Sequence, residues 1–164
     1  MNLLKDGGIV ADNWVLLGDD DEVPLEKPVI VSLERWQAER ETLMGRNGPL
    51  GVRLTSEQSP ELIEADLARL DQVSLEFPRF GDGRPYTYAR MLRERFGYEG
   101  EVRAVGDVLV DQFQFMNRVG FDAFEVPEGK DPKTYLAALE KITVWYQQSV
   151  DARAPVAELR RDAE

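Results

Sequence analysis

The clearest structural signal in the chain is Leu50-Gly51-Val52-Arg53-Leu54-Thr55, with Ser59-Pro60-Glu61 shortly after it. The first segment is short, apolar and β-branched, which is typical of a strand. In the second, Ser59 is a good N-cap, Pro60 suits the first helical position and Glu61 favours the first turn. We therefore predict a strand followed at once by a helix, the repeating unit of α/β proteins.

The same order of elements occurs five times from Pro28 onward. The predicted strands are residues 29–31, 50–55, 73–77, 102–105 and 123–126, each followed by a segment of helical periodicity. Because strands separated by helices are joined by right-handed crossovers, we predict one mainly parallel sheet.

Capping residues and spacing define the last three predicted helices. The third ends at Gly97. Asp107 is predicted to cap the fourth directly after its strand, and Asp131 the fifth. The fifth is expected to continue beyond residue 140, because its apolar residues recur at helical spacing: Tyr135, Leu139, Ile142 and Tyr146.

The ends of the chain are more polar than its centre. Residues 9–17 predict one or two short strands, and residues 18–22 an acidic loop. With 164 residues there is enough chain for one sizeable core. We therefore expect a single α/β domain over residues 1–148, with the short strands at its N-terminus, and a polar C-terminal tail over residues 149–164.

The predicted strands alternate apolar and polar residues, whereas parallel strands covered on both faces are usually apolar throughout. In sequential strand order, one ionisable residue from each of four strands falls on the same face, beside a residue of opposite sign: Arg53, Glu76, Arg103 and Glu125. All helices would then pack on the other face. We favour such a half-barrel, an incomplete TIM-like barrel. The alternative is a doubly wound, flavodoxin-like sheet with these charges at strand ends.

Composition excludes several classes of function. The chain has no Cys and no His, so disulfides, thiolate iron–sulfur ligation and imidazole catalysis are excluded, and we predict no metal or cofactor. A net charge of −11 opposes nucleic-acid binding. No apolar run approaches the roughly 18 residues of a membrane span, and no secretory leader is evident. We expect a cytoplasmic protein, and a homo-oligomer is compatible with the sequence.

The most distinctive segment is residues 76–90, Glu-Phe-Pro-Arg-Phe-Gly-Asp-Gly-Arg-Pro-Tyr-Thr-Tyr-Ala-Arg. It runs from a strand into a helix, at the edge where parallel α/β proteins bind ligands. The candidate anion or partner site comprises three arginines as anion clamps and three acidic residues as acid–base groups: Arg79, Arg84, Arg53, Glu76, Asp82 and Asp107. The alternative is a salt-bridged turn that only positions the helix. The glycine spacing matches no nucleotide motif.

The run from Phe77 to Arg95, together with Gly97-Tyr98 and residues 106–112, resembles a bacterial family of unknown function. This family is commonly encoded beside assimilatory sulfite or nitrite reductase. The similarity extends to residues 49–54 and 118–124. The resemblance implies an accessory role in sulfite reduction, and hence in sulfur assimilation and cysteine biosynthesis.

Two functions are open at this point. The first is an accessory protein of assimilatory sulfite reduction that acts through partner contacts, with sulfite reductase as the candidate partner. A chain without Cys or His cannot ligate siroheme iron or an iron–sulfur cluster in the usual ways, which favours a helper. The second is a small enzyme or anion-binding module with its site at the C-terminal edge of the sheet, so enzymatic activity stays an open question.

Overall fold

The computed structural model describes residues 2–151 and 153–161. In this part of the chain eight strands form one sheet in the order β2-β1-β8-β7-β6-β5-β4-β3. The strands are β1 (Asn2–Lys5), β2 (Gly8–Ala11), β3 (Val15–Leu16), β4 (Val29–Ser32), β5 (Leu50–Leu54), β6 (Gln72–Phe77), β7 (Glu101–Gly106) and β8 (Ala123–Val126).

The strands β3 to β8 are neighbours in chain order, and every adjacent pair among them is parallel. This confirms the prediction of five consecutive strands in one parallel arrangement. The strand order never reverses within this series, so the doubly wound alternative is wrong. The complete sheet is mixed, because β1 pairs antiparallel with both β8 and β2.

The strand β1 was not predicted, although the sequence carries its signal. Asp6 and Gly7 both have positive φ angles, 52° and 70°, and they form the two-residue turn between β1 and β2. Asp-Gly is a preferred sequence for such a type I′ hairpin, because both positions need left-handed backbone.

Chain length shows how strongly the sheet curls. Eight flat strands at about 4.8 Å spacing would place the outer two about 34 Å apart. The two edge strands are β2 and β3, yet only residues 12–14 join them. Four residue steps span at most about 14 Å. The sheet therefore curls into a half-barrel with its edges close together, as the alternation of polar and apolar residues predicted.

The helices, apart from the last one, which has no buried residue, pack on the convex face. They are α1 (Leu33–Ala38), α2 (Arg40–Met44), a 3-10 helix (Pro60–Arg69), α3 (Arg84–Arg90) with a π-helical turn (Met91–Arg95), α4 (Phe113–Arg118), α5 (Pro132–Leu139) and α6 (Val156–Arg161). The apolar positions of the strands form the core with residues from these helices, including Trp36, Leu67, Leu92 and Met116. No helix in the described residues is long and apolar enough to cross a membrane.

Two predicted helices have different bounds. The fourth begins at Phe113 rather than beside Asp107, because the Asp107 carboxylate accepts a hydrogen bond from the backbone of Phe80 instead of capping a helix. The fifth begins after Asp131 as predicted but ends at Leu139. At this end of the helix, Gln114 Nε2 donates hydrogen bonds to the carbonyls of Leu139 and Ile142. The Gln114 side chain thus binds carbonyl groups at and just beyond the last helical residue.

Beyond α5 the chain is anchored by one arginine rather than by further helical turns. Arg118 lies over the Trp145 ring, 4.2 Å from its centroid, and donates to the Asp151 carboxylate and the Gln147 carbonyl. Part of the predicted tail then forms α6, whereas residues 152 and 162–164 lie outside the described residues.

Candidate functional site

Strand register places the four predicted charges on the concave face of the half-barrel. Arg53 lies opposite Ser74, which lies opposite Arg103, which lies opposite Ala123. Glu76 and Glu125 follow Ser74 and Ala123 by two residues and therefore point to the same side. The concave face is thus charged, but its members have very different surroundings.

Arg103 lies at the centre of a buried ionic cluster. Its side chain is 0% exposed. Nη1 donates to Asp12 Oδ2 at 2.9 Å and lies 3.7 Å from Glu125 Oε1, while Nε donates to Glu101 Oε1 at 2.8 Å. Lys5 Nζ donates to the other oxygen of Glu101 at 2.8 Å. We call these five residues the Arg103 cluster, and their mutual pairing gives it a structural role.

Burial raises the pKa of Glu125 within this cluster, and the positive charges of Arg103 and Arg53 oppose the increase. The carboxyl group therefore releases its proton less readily than an exposed glutamate does. Arg103 Nη2 has no hydrogen-bond partner among the described residues.

Arg53 and Glu76 form a second, more open pair on the same face. Arg53 Nε donates to Glu76 Oε2 at 3.2 Å, and the two side chains are 28% and 30% exposed. The predicted contact between Glu76 and Arg103 is not present among the described ion pairs. Ser74 lies opposite both arginines, so the register places Glu76 equally far along from each, and Arg103 pairs instead with Asp12, Glu101 and Glu125. The charged face is therefore divided into a closed part and an open part.

The open part borders a cleft of about 820 Å³ at the carboxyl ends of β5 and β6. One wall follows β5 and the other follows β6, as expected of a ligand-binding edge in a parallel sheet. The lining residues are Thr55, Ser56, Glu57, Glu76, Pro78, Arg79, Phe80, Gly81, Asp82 and Arg84. Four of the six predicted site residues thus line one cleft, Arg53 pairs with a lining residue, and Asp107 acts on the loop itself.

Asp82 and Arg84 form an ion pair with each other. Arg84 Nε and Nη2 donate to the two Asp82 oxygens at 3.0 and 2.6 Å, and Nη2 also donates to Ser56 Oγ at 2.9 Å. The guanidinium group holds the pKa of Asp82 well below its usual range. This bidentate pair matches the salt-bridged turn rather than a free acid–base group or a free anion clamp.

The loop between β6 and α3 is clamped through the backbone of one residue. Asp107 Oδ2 accepts from the Phe80 amide at 3.1 Å, and Gln112 Nε2 donates to the Phe80 carbonyl at 2.9 Å. The Phe80 side chain is nonetheless 54% exposed. Its neighbour Arg79 is exposed and has no ion pair among the described residues. The clamp therefore fixes the backbone that presents these two side chains.

Further aromatic residues lie beside this loop. Phe115 is 56% exposed and its ring centroid lies 5.2 Å from that of Tyr86. Gln112, which holds Phe80, precedes Phe115 by one helical turn and so faces the same way. Burial raises the pKa of Tyr86 to about 12, with a smaller contribution from Asp111. We call Phe80, Tyr86 and Phe115 the aromatic patch.

Several residues of this region were missed by sequence reasoning. Glu101 stands two residues before Arg103, so the strand alternation carried its signal. Asp12 and Gln112 act through contacts across the fold and have no local pattern. Phe115 lies off the buried stripe of Phe113 and Met116, so helical spacing could have indicated that it faces away from the core, and it is 56% exposed.

Together these features define an α/β half-barrel with a charged concave face and a cleft at the carboxyl ends of its strands. The model of a family described as bacterial protein of unknown function (DUF934) matches residues 51–157. The protein belongs to this family. A comparison with curated proteins gives no match.

Proposed function

We propose that the protein is an accessory of assimilatory sulfite reduction that docks onto a protein of that system through the aromatic patch. The candidate partner is sulfite reductase. The observation that carries the proposal is the exposed Phe80 side chain on a backbone held from both sides by Asp107 and Gln112. The link to sulfite reduction rests on the sequence resemblance of residues 77–95.

The arrangement of the patch favours a protein partner. Exposed aromatic side chains are costly in water and are enriched at the centres of protein interfaces. A clamped backbone lowers the entropy that is lost on binding, because the presenting loop is already ordered. Phe80 and Phe115 are both more than half exposed, and the Phe115 ring packs against the partly buried Tyr86, which adds a polar hydroxyl to the aromatic surface.

The composition limits what such an accessory does. Without Cys or His, the chain has none of the usual ligands for siroheme or an iron–sulfur cluster. Electron transfer would therefore depend on the partner's own centres. The proposed role is contact with the partner, in assembly or in regulation of the reductase.

The test is a deletion strain grown on sulfate or sulfite as sole sulfur source. We expect impaired growth that added cysteine restores, and normal growth of the strain on sulfate would contradict the pathway assignment. Complementation with Phe115→Ala is expected to fail, because the variant removes an exposed ring without emptying the core. The matched control is Leu62→Ala, a similarly exposed apolar residue on the 3-10 helix, which should restore growth. Full rescue by Phe115→Ala would overturn the patch as the docking surface.

A further inference from the structure

The charges on the wall of the cleft leave one guanidinium group without a partner. Asp82 is neutralised by Arg84, and Glu76 by Arg53. Glu57 is 83% exposed at the rim and lies 3.9 Å from Arg84. Among the lining residues only Arg79 carries a charge without an ion pair in the described part of the chain. Together with Arg53 the lining carries three positive and three negative charges, and Arg79 is the cation among them that is available to bind a negative group.

Arg53 is a second cationic group near the cleft, since it pairs with the lining residue Glu76. Arg53 binds Glu76 through Nε alone, and neither of its Nη atoms donates a hydrogen bond to another described residue. Arginine has five N–H donors in a planar fork, so Arg53 keeps capacity for an acceptor besides Glu76.

The size and lining of the cleft indicate more than a bare inorganic ion. Its volume of about 820 Å³ lies in the range of sites for small organic molecules, whereas a single water-sized group fills about 30 Å³. Pro78 and the exposed ring of Phe80 provide apolar surface next to Arg79. A ligand with one charged end and one flat apolar end would use both features.

From these observations we infer that the cleft binds an organic molecule carrying a single oxyanion group. Arg79 binds the oxyanion, Arg53 adds positive potential from the concave face, and the apolar part packs against Pro78 and Phe80. Asp82 and Arg84 shape the wall by fixing the turn, and they take no part in charge recognition. Phe80 belongs to both the cleft and the aromatic patch, whereas Phe115 lies outside the cleft lining, so a substitution of Phe115 tests docking without altering the cleft.

The experiment titrates the full-length protein with phenyl phosphate, benzenesulfonate and benzoate by isothermal calorimetry. Inorganic phosphate and benzyl alcohol serve as probes that lack the apolar part or the charge. We expect saturable binding of at least one aromatic anion and weaker binding of both control probes. The aromatic anion that binds best identifies the oxyanion class. Failure of all three to bind, or equal binding of benzyl alcohol, would overturn the inference.

Variants locate the site. Arg79→Gln is expected to weaken binding of the best aromatic anion by at least about tenfold, because it removes a charge-assisted hydrogen bond. It should fold normally, since Arg79 is exposed and without an ion pair in the described residues. Arg90→Gln is the matched control on α3, and Phe115→Ala separates this site from docking. Unchanged affinity of Arg79→Gln, or an equal loss in Arg90→Gln, would exclude Arg79 as the anion-binding group.

Discussion

Two arginines on the concave face look alike in sequence and differ in the folded protein. Arg103 is 0% exposed and contacts three carboxylates, whereas Arg53 is 28% exposed and, among the described residues, pairs with Glu76 alone. Each stands at an alternating position of a parallel strand. The two arginines differ in exposure because different features cover them. The segment of residues 12–14 lies against Arg103, whereas the cleft opens beside Glu76, the partner of Arg53.

This contrast indicates how a half-barrel divides its polar interior. One part is closed by ionic pairing, and its Asp12 ties the connection between the two edge strands to β7. The other part, formed by Arg53 and Glu76, is partly exposed to solvent. It lies at the carboxyl ends of the strands, where the following loops contribute further polar side chains. Fully buried and partly exposed ion pairs therefore occupy the same face of the sheet.

The largest expected effect is the loss of stability on Arg103→Met. The substitution leaves Asp12, Glu101 and Glu125 without their shared cation in a buried site, and breaking a buried ion pair typically costs about 3–5 kcal/mol. Arg53→Met is the matched control and should cost about 1 kcal/mol or less, since its partner is partly solvated. Urea unfolding measures both. Equal losses in the two variants would contradict the division of the face.

The sheet was predictable because its signals are local and repeated. Short β-branched runs followed by capped helices specify parallel neighbours, and the alternation within the runs places Arg53, Glu76, Arg103 and Glu125 on one face. Exposure was not predictable in this way. Asp12 lies 91 residues from Arg103 in sequence, and only the curling of the sheet brings them together.

The position of the candidate site at the end of β6 was predictable, whereas the contacts of its side chains were not. Seven of the residues 76–84 line a cleft, but the contacts that each side chain makes depend on competition between partners. Asp107 has the chemistry of an N-cap, yet the Phe80 amide is the donor that it binds. Asp82 is the acid that Arg84 neutralises. Which hydrogen-bond partner each of these side chains contacts depends on the geometry of the loops, and the spacing of residues in the sequence does not specify that geometry.

A double-mutant cycle tests how far the Arg103 cluster extends. Asp12→Asn combined with Arg103→Met should show a coupling free energy of about 0.5–3 kcal/mol, because their side chains are hydrogen-bonded at 2.9 Å. Glu76→Gln combined with Arg103→Met should be additive within about 0.5 kcal/mol, since no ion pair joins those residues. Coupling in the second cycle as strong as in the first would join the two parts into one network.

The smallest expected effect concerns pH and the closed part of the face. Burial raises the pKa of Glu125 above its ordinary value of 4.5, so the folded protein binds this proton more tightly than the unfolded chain does. The stabilisation from protonation is fully present below 4.5 and is lost as the pH rises through the folded pKa. Glu125→Gln has no such proton to lose.

We therefore expect the difference in unfolding free energy, wild type minus Glu125→Gln, to fall as the pH rises above 4.5 and to level off above the folded pKa of Glu125. Urea unfolding from below 4.5 to neutral pH measures it. Asp122, the other carboxyl group with a raised pKa, is present in both proteins and cancels in the comparison. Glu99→Gln at an exposed position provides the control for loss of one surface charge. If the two proteins keep a constant difference across this range, Glu125 is hydrated, and the closed part of the face is as open as the pair formed by Arg53 and Glu76.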